Sequence, residues 1–172
     1  MNHQELLREQ IVSAIEMKRS MCDEVGGPFD LPAWLAVTAN KDQKIAAIVP
    51  ARDEIPDIID EVRRNFGAIE TVAFIADAFA RSEGKDELQS YRRGDLRSAF
   101  ESGDPSVVEG LHITVYDVRS NETAMASVLY RYGDHGQPIF EEPQFGDCGG
   151  GAVIDLIRRS TRPRRERRAW QN

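Results

Sequence analysis

Residues 107–132 read VVEGLHITVYDVRSNETAMASVLYRY, and the fold turns on how this stretch is paired. Two runs rich in β-branched and aromatic residues, 107–118 and 123–132, flank the turn-forming RSNE of residues 119–122. That pattern predicts a β-hairpin. His112 alternates with Leu111 and Ile113, so the first strand presents them on opposite faces. A connection this short allows only antiparallel neighbours.

Working outward, AWLAVTA (33–39) and KIAAIVP (44–50) predict a second hairpin around NKDQ, and ETVAFIADAFARSE (70–83) a long strand. PIFEEP (138–143) follows YGDHGQ as a last short strand. Between these runs the period changes from two to nearly four. Ile55, Ile58, Ile59, Val62 and Phe66 form one stripe of a helix over 53–66. Its acidic start (Asp53, Glu54, Asp57), basic end (Arg63, Arg64) and trailing Gly67 suit the helix dipole and a glycine C-cap. Leu7, Ile11, Ala14, Ile15 and Met21 predict an amphipathic helix over 3–21, with Glu5, Arg8, Glu9, Glu16, Lys18 and Arg19 mostly off the stripe. Shorter helices are expected at 95–103 and 152–159, and a polar loop at 84–94. The order of elements predicts an α+β domain over residues 1–159. Its sheet is mostly antiparallel, of about five to six strands, with helices packed on one face. Residues 160–172 are expected to be a disordered Arg-rich tail.

The chain of 172 residues has a net charge of -7 that hides an asymmetry. The segment 158–172 holds seven arginines and one glutamate, so the remainder carries 15 of the 22 basic groups and 28 of the 29 acidic ones. An acidic body repels phosphate backbones at long range, which confines nucleic-acid contact to the tail. Arg158, Arg159, Arg162, Arg164, Arg165, Arg167 and Arg168 would neutralise phosphates there, and Trp170 could stack on a base. No apolar run approaches the length of a membrane span, and MNHQELLREQ lacks the pattern of a signal peptide, so a cytoplasmic protein without membrane contact is expected.

Candidate chemistry is sparse. Cys22 and Cys148 form no CxxC pair, and Asp147 beside Cys148 disfavours a thiolate. The glycines of FGDCGGG lack the Lys and Ser or Thr of a P-loop. His3, His112 and His135 make no close pairs, so no metal and no cofactor is expected. Asp77 interrupts an otherwise apolar strand, and Asp117 at the end of a neighbouring predicted strand is its candidate partner for acid–base work. Glu109 lies three residues before His112 on the hairpin strand.

TVAFIADAFARSE and ESGDPSVVEGLHITVYDVRSNETAMASVLYRYGDHGQPIFEEP resemble a scattered group of small uncharacterised proteins of bacteria, notably actinobacteria, and their phages. The matching elements are Asp77, Asp104, Pro105, Glu109 and the strand Leu111 to Asp117, within residues 70–143. The match departs from the group at SGDP, which lacks the histidine of its HPD step. The resemblance implies an accessory protein of phage or mobile-element type.

Three functions are therefore open. The leading expectation is a non-enzymatic protein that binds a host or phage protein through its acidic body. The second is RNA or DNA binding through the tail. The third is a small enzyme with a carboxylate site around Asp77, Asp104, Glu109 and Asp117. The strand of residues 110–118, if it forms a sheet edge, would also offer a surface for a homodimer.

Overall fold

The longest strands carry apolar side chains on both faces, so each face needs a cover. The computed structural model describes residues 3–41, 43–83, 87–89, 103, 107–146 and 151–162. Its elements begin with α1 (His3–Val25), β1 (Trp34–Ala39), β2 (Gln43–Ile48), a 3-10 turn (Arg52–Glu54) and α2 (Ile55–Phe66). There follow β3 (Ile69–Glu83), β4 (Glu87–Gln89), β5 (Val107–Asp117), β6 (Glu122–Tyr132), β7 (Pro138–Phe140), β8 (Gln144–Gly146) and α3 (Ala152–Thr161). Residues 95–102 of the helix expected at 95–103 lie outside the described residues, as do Asp104, Cys148 and the tail from residue 163.

The fold is α+β, as the sequence predicts. One antiparallel sheet runs β2-β1-β3-β5-β6-β7, with β4 added to β3 and β8 to β6. The hairpin of residues 107–132 forms with Glu109 opposite Tyr130 and Asp117 opposite Glu122. Strand β5 is interior, bonded to β3 on one side and β6 on the other, so it is not the open edge the sequence suggested. Its apolar side chains, Val107, Leu111, Ile113 and Val115, are buried, which suits a central strand. The ends of the main strand order are β2 and β7.

The helices divide between the faces, where the sequence pattern had placed them on one. Leu6, Leu7, Ile11 and Ala14 of α1 pack with Ala73, Ile75, Leu111, Ile113, Val115, Ala126 and Val128. Ile55, Ile59 and Val62 of α2 and Ile154 and Ile157 of α3 pack with Leu35, Val37, Val72 and Tyr116 on the other face. The alternation along β3 explains the split: Ala73 and Ile75 face α1, whereas Val72 and Phe74 face the helix pair.

Two glycines hold the connections. Gly67, at φ 92, ends α2 as expected and donates its N–H to the Arg63 carbonyl at 3.0 Å. Gly136, at φ 74, lets the β6–β7 turn touch the loop after α1; an added Cβ would meet Gly27 Cα at 2.9 Å and Pro28 Cδ at 3.0 Å. Gly26 has a similar φ of 72 but nothing within 4 Å. Gly26→Ala should therefore cost about 1 kcal/mol from backbone strain alone. Gly136→Ala should cost about 1–3 kcal/mol more, because the backbone it meets cannot step aside. Urea denaturation of both variants checks this, and equal losses would contradict it.

Candidate functional site

Position 18 of α1 faces the sheet, one turn after Ala14 and two after Ile11. An apolar residue is expected there, but the chain places Lys18, which is 0% exposed. An ammonium group cannot be left dry without a counter-charge. Asp77, buried on β3, supplies it: Lys18 Nζ donates to Asp77 Oδ2 at 2.6 Å. The same oxygen accepts the Leu31 backbone N–H at 2.9 Å, and Lys18 donates a further hydrogen bond to the Phe29 carbonyl. The ammonium also lies 4.6 Å from the ring centre of Tyr130 and 5.3 Å from that of Tyr132. One lysine thus fastens α1 to the sheet and to the segment that follows it.

The network continues through Tyr130 on β6. Its hydroxyl oxygen is 2.5 Å from Asp77 Oδ1 and 2.8 Å from Glu109 Oε1. A phenol carries a single hydrogen and can donate to only one of these oxygens. With both carboxylates ionised, the other contact would set two lone pairs against each other. Asp77 is the ionised member, since it accepts from Lys18 and Leu31. When Glu109 is protonated, Tyr130 donates to Asp77 and accepts from Glu109, and both contacts are satisfied. Burial, the largest influence on Glu109, raises its pKa, while the contact with Tyr130 and the charge of Lys18 act the other way. Burial pushes the Tyr130 phenol far up, reinforced by the Asp77 and Glu109 carboxyls. Burial alone would lower Lys18; its hydrogen bond to Asp77 and that carboxylate's charge outweigh this and hold it above its ordinary 10.5. With Glu109 protonated the cluster is neutral as a whole: one cation, one anion and one protonated acid.

Of the four carboxylates singled out from the sequence, the structure joins Asp77 and Glu109 through Tyr130. Asp117 stands apart. Opposite Asp77 on β5 is Leu111, whereas Asp117 lies opposite Thr71. Asp117 Oδ1 accepts the backbone N–H groups of Arg119 and Ser120 at 2.8 and 3.1 Å, which closes the β5–β6 turn. Asp104 is outside the described residues. His112 points to the α2–α3 face, with its Nδ1 2.9 Å from Ser127 Oγ. Burial lowers its pKa, against the opposing effects of a bond to the Ala78 backbone and the charge of Asp77. Among the described residues no three His, Cys, Asp or Glu side chains gather as a metal ion requires.

Arg158, Arg159 and Arg162 of the basic segment are described; Arg164, Arg165, Arg167, Arg168 and Trp170 are not. Arg158 sits 5.9 Å from the ring centre of Tyr116, its Nε buried without a hydrogen-bond partner among the described residues. Arg63 of α2 donates to the Ser160 carbonyl, so the arginine-bearing last turns of α2 and α3 meet.

A second feature lies on the surface beside α1. That helix covers β5, β6, β7 and part of β3, and among the described residues β1 and β2 are left as a shelf at its flank. Two adjoining depressions there, of about 200 and 360 Å³, share Met17, Trp34 and Ala46 and form one groove between α1 and β2. One end is polar, with Glu9 and Lys44 in an ion pair across it. The other end is apolar, formed by Met21, Phe29, Leu31 and Ile48 among others. Met17 is 41% exposed and Ile48 is 62% exposed. Neither Lys18 nor this groove stood out in the sequence. In comparisons with known proteins, no family model, no curated protein and no solved structure matches this chain. No helix among the described residues is long and apolar enough to cross a membrane.

Two predictions follow from the buried network. Lys18→Met and Asp77→Leu should each destabilise the fold by about 3–5 kcal/mol, because each strands a partner in the interior. The double variant should recover a large part of that loss, and a denaturant series at neutral pH showing simple additivity would contradict the pairing. The second concerns pH. Because the Glu109 pKa is raised above its ordinary 4.5, its stabilising share is complete below 4.5 and is lost as pH rises through the folded-state value. Glu109→Gln keeps a neutral donor for Tyr130 and should remove that pH slope, ending more stable than the parent at high pH. Identical slopes in urea midpoints of the two proteins would rule this out.

Proposed function

We propose that this chain is a non-enzymatic accessory protein, of phage or mobile-element type, that binds another protein through the α1–β2 groove. The single observation carrying this is the groove itself, an elongated, largely apolar channel with Met17 and Ile48 open to solvent. Exposed apolar channels rimmed by polar groups suit macromolecular contact. Methionine, adaptable in shape, is well suited to such a surface. The acidic body acts around it: Glu24, in the last turn of α1 after Met21, and Asp30, between Phe29 and Leu31, are both exposed, and α1 ends without a basic residue in that turn. The negative end of the helix dipole adds to their field and steers a basic partner. The phage or mobile-element setting comes from the resemblance in residues 70–143.

The buried network supports this reading over a carboxylate enzyme. Asp77 and Glu109 are engaged by Lys18, Leu31 and Tyr130, and their geometry fastens α1. A photo-crosslinking side chain at position 17 or 48 should form one defined adduct in cells that make the protein. The same group at Phe66, exposed on the far side of α2, should not. Adducts of equal yield from all three positions, or from none, would contradict the assignment of the groove.

A further inference from the structure

The shape of the groove narrows the choice of partner. Its wall on α1 extends from Glu9 to Met21, about 18 Å of helix at the usual rise of 1.5 Å per residue. Its floor is two strands wide, roughly 10 Å at ordinary strand spacing. That is the footprint of one α-helix of three to four turns lying beside α1. The floor suits close approach, since Ala36 and Ala46 present methyl groups between Trp34 and Lys44. Among the described residues only α1 packs on this face of the six-strand order, so the shelf is where a second helix would sit.

We infer that the groove receives an amphipathic, basic helix from the partner protein, packed alongside α1 and antiparallel to it; this rests on the groove being the binding surface. The apolar stripe of the guest meets Met17, Met21, Trp34, Ala46 and Ile48. Antiparallel packing brings the positive end of its dipole to the end of α1 that carries Glu24 and Asp30, and sets its last turn near Glu9 and Lys44. Basic side chains on its outer face match the exposed carboxylates of this end. A second copy of the chain has no helix to offer among the described residues, because α1, α2 and α3 all bury their apolar stripes within their own fold.

The test uses the full chain and three fluorescent peptides of equal length. One is a leucine–lysine sequence with helical spacing, one is its scramble, and one has glutamate in place of lysine. Anisotropy should show the first binding at least about tenfold more tightly than the others, with weakening by salt and a gain of helical circular dichroism on binding. Ala46→Arg should lose that binding about tenfold, whereas Ile139→Arg, at an exposed site on β7, should keep it. Equal binding of the scramble, or indifference to Ala46→Arg, overturns the helix. If no peptide binds while crosslinks still form from positions 17 and 48, the helix falls and the groove stands. If crosslinks fail too, both fall. A concentration-dependent dimer abolished by Ala46→Arg would make a second copy the occupant and overturn the proposal.

Discussion

Everything on the α1 face of the sheet depends on a charge held in a dry place. Lys18 projects from the apolar stripe of α1 into the interior, and the fold accommodates it only because Asp77 waits on β3. A hydrophobic contact would tolerate a helix sliding or rolling by a fraction of a turn. An ammonium group bonded at once to a carboxylate and the Phe29 carbonyl does not, because any shift breaks a hydrogen bond where water cannot replace it. Leu31 bonds to the same carboxylate, so the segment after α1 is tied to the same point.

That tie sets the position of the groove. Phe29, Leu31 and Trp34 form its apolar end, and they are held by the backbone atoms that Lys18 and Asp77 engage. Met17 and Met21, on either side of Lys18 along α1, form the opposing wall. The buried network and the surface channel are thus two faces of one construction: polar bonds fix the frame, and flexible apolar side chains line the opening. A partner would meet a preformed channel, which limits the ordering cost of binding.

Much of the frame was legible in the sequence and the reason is periodicity. The 107–132 hairpin and α2 each follow a single period, have turn or cap residues at their ends, and form as expected. Strand β5 misled as an edge because alternation describes the faces of a strand and says nothing about its neighbours. Asp77 was legible as an intrusion in an apolar strand, but its partner was sought among carboxylates along the sheet. The true partner comes from 59 positions away on a helix. Lys18 had a signal: positions 7, 11, 14, 18 and 22 continue one stripe, and all five are buried. A lysine in such a stripe reads as polar surface unless its register is followed through. Tyr130 gave no signal, since an aromatic on a strand is ordinary core. The groove left none either, because it depends on how far one helix reaches across the sheet.

The account turns on where one proton resides. Carbon-13 NMR of the side-chain carboxyl groups, assigned through Asp77→Asn and Glu109→Gln and followed through a pH titration, measures this directly. The structure predicts that Glu109 keeps its proton to a higher pH than an ordinary glutamate, its signal moving above 4.5. A Glu109 signal that moves at or below 4.5 would contradict it, because the single hydrogen of Tyr130 cannot serve two ionised carboxylates.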